Sequence, residues 1–184
     1  MIDQTQVQHL QRSLSEQHRR LYAVLDGAAI QNLPAVLADQ QLVNVSLFRG
    51  ELEPELAQVA PYLVELDADS PFTGRLLTYE VGRHWGILAG SDANFRSLRT
   101  HFRNLFIVAD QQGKPHYFRY YDPRILSIYL PACNTGELQT LFGPVGAYYA
   151  QARGTDTLLR FTLDGARLGQ QSLTHSAADA AVAE

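Results

Sequence analysis

The segment HYFRYYDPR, residues 116–124, sets two arginines around one aspartate. That pattern admits chemistry. A small hydrolase or transferase could use Asp122 as acid or base, Arg119 to steady developing charge, and His84 or His101 as the proton carrier. A plainer role fits the same residues. Asp122-Pro123 reads as a helix start, with Asp122 at the N-cap and Pro123 at the first helical position, where its missing N–H costs nothing. A cap of this kind contributes about 1 kcal/mol. Arg119 and Arg124 then pair with acids, Asp122 among them, and fix the corner.

The remaining candidates are weaker. The histidines are His9, His18, His84, His101, His116 and His175. No two have the i,i+4 spacing of a zinc-binding helix. Cys133 in LPACN has no visible base beside it and reads as a spectator. There is no G-x-S-x-G elbow, no G-x-x-x-x-G-K-[ST] loop and no G-x-G-x-x-G loop. AGSDAN (89–94) is the nearest glycine-containing turn into a helix, but Asp92 in its mouth would repel an anion. No cofactor and no metal is expected. Arg96, Arg99 and Arg103 share one side of a helix. The acids Glu51, Glu53, Glu55, Glu65, Asp67 and Asp69 form a run of opposite sign. Such runs are solvated faces or complementary patches for protein partners.

The aromatics divide between core and surface. Read as a strand, 117–121 places Tyr117, Arg119 and Tyr121 on one face and Phe118 and Tyr120 on the other. Tyr and Arg are the residues favoured at interface hot spots. An accessible Tyr/Arg face beside a buried one is therefore expected.

The elements that must hold these residues follow from pattern. Residues 5–20 read as a polar helix with a thin stripe of Leu10 and Leu14. LYAVLDGA (21–28) reads as a buried strand ending in an Asp26-Gly27 turn. LPAVLADQQ (33–41) reads as a short helix capped by Asn32, NVSLF (44–48) as a strand, and Pro54 as the opening of a helical turn. PYLVEL (61–66) is β-like. Residues 70–82 form a helix capped by Ser70, with Phe72, Leu76, Leu77 and Tyr79 as its stripe. HWGILAGS (84–91) is a strand, and Ser91 or Asp92 caps a helix whose face is Phe95, Leu98, Phe102 and Leu105. FIVAD and PHYFRYY pair as a hairpin around Gly113. Two helices follow, the second ended by Gly143-Pro144. VGAYYAQARG and TDTLLRFTLDG form a last hairpin. From Ala166 the chain turns small and polar and reads as a mobile tail.

These elements predict an α/β (α+β) domain with a mixed β-sheet flanked by helices and a small helical/hairpin C-terminal lobe. The division is an N-terminal helix over 1–20, one domain over 21–165 and a tail over 166–184. The chain of 184 residues suffices for a sizeable core. Its formal charge of −4 gives no footprint for nucleic acid. No apolar run approaches the roughly 20 residues of a membrane span, so neither nucleic acid binding nor membrane insertion is expected. One cysteine excludes an internal disulfide. A cytoplasmic location is expected.

Four segments in order resemble the type VI secretion effector chaperones, or adaptors (Tap/Tec proteins), a family first described as a domain of unknown function. They are LYAVLDGA, LFRGELEPELAQVAPYLVEL, HWGILAGSDANFRSLRTHFRNLFIV and FRYYDPRILSIYLPACNTGELQTLFGPV, spanning Leu21 to Val145. The resemblance implies a cytoplasmic protein that is not an enzyme. It would bind a cognate toxic effector and help load it onto the VgrG spike. The motif positions carried over are Asp26, Pro61, Trp85, Arg119, Asp122, Pro123, Arg124, Phe142, Gly143 and Pro144. Most are expected to hold the fold, with Arg119 and Arg124 shaping a binding groove. Tyr117, Tyr121, Arg96, Arg99 and Arg103 complete the expected protein-binding set. The region after Val145 is the family's variable part and a sensible place for partner choice. The competing expectations are the small enzyme around Asp122 and a purely structural subunit that forms a large homo-oligomer.

Overall fold

In the computed structural model, which describes residues 4–79, 84–109, 112–152 and 157–173, the strand Arg20–Asp26 (β1) sends its side chains into two separate cores. Tyr22 and Val24 enter one, and Leu21, Ala23 and Leu25 enter the other. A strand alternates faces with period two. β1 reads as an unbroken apolar run because both of its faces are covered.

The other strands are Asn44–Ser46 (β2), Pro61–Leu66 (β3), Gly86–Ser91 (β4), Ile107–Ala109 (β5), Pro115–Tyr117 (β6), Ala147–Gln151 (β7), Leu158–Asp164 (β8) and Arg167–Leu173 (β9). Seven of the nine form one sheet in the order β2-β3-β1-β4-β7-β8-β9, while β5 and β6 pair apart. The helices are Gln4–Gln17 (α1), Leu33–Asp39 (α2), Pro54–Val59 (α3), Pro71–Tyr79 (α4), Phe95–Asn104 (α5), Pro123–Ala132 (α6) and Thr135–Phe142 (α7). Leu98 and Phe102 of α5, Leu126 and Leu130 of α6, and Leu138, Leu141 and Phe142 of α7 cover one face of the sheet. Val7, Leu10 and Leu14 of α1, Leu33 and Leu37 of α2, and Phe72, Leu76 and Leu77 of α4 cover the other. The result is helix, sheet, helix in three layers.

The α+β class stands, with corrections in its parts. Every strand pair among the described residues is antiparallel, so the sheet they form is not mixed. Pairing direction is a property of two strands together and leaves little trace in either alone. The last hairpin is not a separate lobe, because β7 pairs with β4 and extends the main sheet. Nor do residues 167–173 belong to a tail: they form β9, paired along its length with β8. β9 is largely exposed, so its sequence lacks the apolar alternation by which a strand is read. Ala166 lies in the turn between β8 and β9, and residues 174–184 of the expected tail lie outside the described residues, as does the side chain of Tyr79.

Two caps also differ. Asn32 has φ 55° and makes no side-chain cap bond. Its left-handed backbone, which asparagine tolerates, makes the turn into α2 instead. α5 is capped by Asn94, whose Oδ1 accepts from Ser97 N at 3.0 Å. Ser91 is still the last residue of β4, and its hydroxyl is engaged with Pro144 O and Ala93 N. Ser70 caps α4 as expected, accepting from Thr73 N at 3.1 Å. β4 starts at Gly86 rather than at His84, whose φ of 50° breaks the extended run.

Candidate functional site

The segment 118–122 leaves the sheet rather than continuing it. Only Pro115–Tyr117 pairs with β5, followed by one further bond from Phe118 N to Phe106 O at 2.8 Å. A strand through 121 would put Tyr120 and Tyr121 on opposite faces, yet both are buried in the same core along with Phe118. Tyr120 stacks on Phe102 with ring centroids 5.7 Å apart and donates its hydroxyl to Phe102 O at 2.9 Å. The chain then turns, with Asp122 N donating to Arg119 O at 3.0 Å, and α6 begins.

Asp122 is the N-cap of α6. Its Oδ1 accepts from Arg124 N at 3.0 Å and Arg124 Nε at 2.9 Å, and its Oδ2 accepts from the Arg124 guanidinium at 2.6 Å. Burial pushes the carboxyl up, but the Arg124 bonds outweigh it and hold Asp122 below its ordinary range. Both oxygens are occupied by a fork of charge-assisted bonds. An Asp so held stays ionised and is a poor proton acceptor. The candidate proton carrier His101 is taken up elsewhere, with its Nε2 2.9 Å from Leu141 O. Burial lowers its pKa.

Arg119 finds a different partner. Its guanidinium lies 2.5 Å from Asp26 Oδ2, and Asp26 Oδ1 accepts from Ala28 N at 3.0 Å. Asp26 stands at the end of β1, opposite Pro61 of β3, and its N–H donates to Trp85 O at 2.7 Å. The pair thus ties the corner to the end of β1, which is itself bonded to the segment just before β4. Burial works against the Arg119 charge, but Asp26 outweighs it and the pKa rises. The guanidinium also lies 5.6 Å from the centre of the Tyr121 ring. Burial raises the pKa of the Tyr117 and Tyr121 hydroxyls, against the opposing pull of the Arg119 charge.

Asp26, Tyr117, Arg119, Tyr121, Asp122 and Arg124 therefore form one cluster. Its charges are sorted by depth. The side chains of Asp26 and Asp122 are 6% and 5% exposed, while those of Arg119 and Arg124 are 43% and 49% exposed. Four charges nearly cancel, yet the solvent meets the cations. Apolar groups adjoin them. Tyr117 is half exposed and stacks on Phe106 with centroids 5.4 Å apart. Its cross-strand partner is Ile107, itself exposed. On α6, exposed Ile128 lies one turn beyond Arg124, with Ile125 beside it.

The arginines of α5 do not join this cluster as a stripe. Arg96 is exposed. Arg103 donates to Ser46 O at 2.8 Å and Phe48 O at 2.9 Å, so it fastens α5 to the chain after β2. Arg103's own pKa is lowered by burial, and by Arg99 and Arg49 nearby. The remaining motif residues are built into the fold. Trp85 packs on the second core. Phe142 meets Tyr148 edge to face at 5.2 Å. Gly143 has φ 45° and lies against the His101 ring, and Pro144 O accepts the Ser91 hydroxyl.

Sequence reading missed the Asp26–Arg119 pair because the two stand 93 positions apart. It also passed over Ile107, Ile125 and Ile128. The i,i+3 spacing of Ile125 and Ile128 was a usable signal, but a buried stripe has the same spacing.

Fold and corner together describe a three-layer α+β domain that presents a cationic, partly apolar surface. The chain belongs to the family described as a domain of unknown function (DUF4123), whose sequence model matches residues 21–140. No curated protein and no solved structure matches the chain.

Proposed function

We propose that this protein is a type VI secretion effector chaperone/adaptor, a binding protein rather than an enzyme. It holds a cognate toxic effector in the cytoplasm and helps load it onto the VgrG spike. DUF4123 proteins are associated with such adaptors. The observation that carries the reading is the depth sorting at the corner. Two guanidiniums are held in place by buried carboxylates, on elements that also expose Tyr117, Ile107, Ile125 and Ile128. Fixed Arg and aromatic groups lose little freedom on binding, which is the composition of a hot spot. The segment received there carries acidic side chains for the guanidiniums and apolar ones for the isoleucines.

The test is co-expression of the tagged chain with the products of its neighbouring genes, then pull-down and light scattering. Retention of one neighbour at fixed stoichiometry is expected. Ile107→Ser with Ile128→Asp alters only exposed groups and is expected to reduce retention at least about tenfold, the loss of about 1.4 kcal/mol, with an unchanged urea midpoint. Retention of no neighbour by a folded chain, or full retention by the double variant, would overturn the reading.

A further inference from the structure

The two edges of the sheet are finished differently. At β2, Leu47 N donates to Pro61 O and Glu65 N donates to Val43 O. In an antiparallel ladder bonded pairs alternate with unbonded ones, so Ser46 turns its N–H and C=O away from β3. Arg103 meets that outward carbonyl at 2.8 Å. This edge is also only three residues long. A short, covered edge is a protected one.

Among the described residues the other edge, β9, has no strand beyond it. Ala152 N donates to Thr157 O at 2.8 Å, and the β7–β8 register runs unbroken from that pair. Leu159 and Phe161 therefore bond to β7, while Leu158, Arg160 and Thr162 bond to β9. Their partners in β9 are Leu173, Gln171 and Gly169. Leu168, Gln170 and Ser172 are left pointing their N–H and C=O outward. Among the described residues no hydrogen bond reaches those groups. β9 has seven residues, no Pro, no Lys and one charge, Arg167. Among the described residues the usual devices that blunt an edge are missing.

The geometry points to a second copy of this chain as the occupant, two β9 strands pairing antiparallel about Gln170 into one continuous sheet. In that register Gln170 faces Gln170 of the other copy, and Leu168 faces Ser172. Each outward residue gives one donor and one acceptor, and all are met. Arg167 falls opposite Leu173, so no like charges oppose each other. The interface is isologous, as a closed dimer requires. The dimer does not depend on the adaptor role, since β9 lies at the far edge of the sheet from β2 and outside the family match, which ends at residue 140.

Sedimentation equilibrium of the full chain over a range of concentrations tests the pairing. The wild type is expected to form a reversible dimer. Gln170→Lys and Gln170→Glu each place like charges across the axis and are expected to weaken it by up to about fivefold. An equimolar mixture of the two is expected to regain the wild-type dimer as a heterodimer. Gln170→Pro removes only an outward N–H, leaving the ladder to β8 intact, and is expected to give a monomer whose urea midpoint matches that of the wild type at dilutions where the wild type is dissociated. A wild type that stays monomeric at every concentration overturns the inference. So does a dimer indifferent to Gln170→Pro, or charged variants that gain nothing on mixing.

Discussion

Removing the Asp26–Arg119 pair separates a structural corner from a row of unrelated side chains. The perturbation is a double-mutant cycle of Asp26→Asn, Arg119→Ala and both together. Asn keeps an acceptor for Ala28 N while removing the charge. At a charge separation of about 4 Å, the attraction is about 4 kcal/mol at an effective dielectric of 20 and about 1 kcal/mol in bulk water. Asp26 is buried but the Arg119 side chain is 43% exposed, so the pair lies between these limits. Solvent screening of the guanidinium brings the expected coupling to about 1–2 kcal/mol. Arg119→Ala alone is expected to cost more than Asp26→Asn, because it strands a buried carboxylate. Urea unfolding of the four proteins at neutral pH reads the coupling directly. Additivity within about 0.5 kcal/mol would refute the claim that the two residues act as a unit.

The cap at α6 makes a graded prediction. Asp122→Ala is expected to cost about 1–2 kcal/mol in urea unfolding, and Asp122→Asn less, because Asn also caps. Asp122 has its pKa depressed by the Arg124 bonds acting against burial. Its contribution is therefore present above the ordinary carboxyl value of 3.8 and lost as pH falls through the lower folded value. Wild type is expected to lose more stability than Asp122→Asn between pH 5 and pH 2. Gly143→Ala is expected to cost about 1–3 kcal/mol, since φ is 45° and a Cβ would meet the His101 ring carbon Cε1 at 2.6 Å. Urea unfolding checks it, and a neutral result would mean that the α7 turn relaxes freely. Burial depresses the pKa of His101, and burial followed by Arg160 depresses that of His18. Both ring titrations followed by NMR are expected below 6.5, and the stability they contribute holds above that pH and declines as pH falls below it.

Much was legible along the chain. Asp122-Pro123 announced a helix start because capping is local: the side chain, the proline and the orphan N–H groups lie within one turn. Ser70 before α4 and the Leu98/Phe102 face of α5 were readable for the same reason, their signals being spaced by one helix period. The strand LYAVLD was readable as buried because an unbroken apolar run has no other use in a short segment. Four ordered motifs fall within or next to the residues, 21–140, that match the family described as a domain of unknown function.

What needed the tertiary structure was whatever joins distant segments. Whether Arg119 pairs with Asp122 or Asp26 depends on where β1 ends relative to the start of α6, and no local pattern encodes that. Arg103 looked like one member of a cationic stripe until α5 was seen to lie over the carbonyls of Ser46 and Phe48. β9 looked like a tail because an exposed edge strand has little apolar surface to alternate, and only its ladder to β8 makes it a strand. The caps at Ser70 and Asp122 and the helix-period stripes rest on interactions within a few residues, so the sequence alone determines them. Ion-pair partners, strand direction and the state of a sheet edge are fixed by contacts across the fold, and they exist only once the chain has closed on itself.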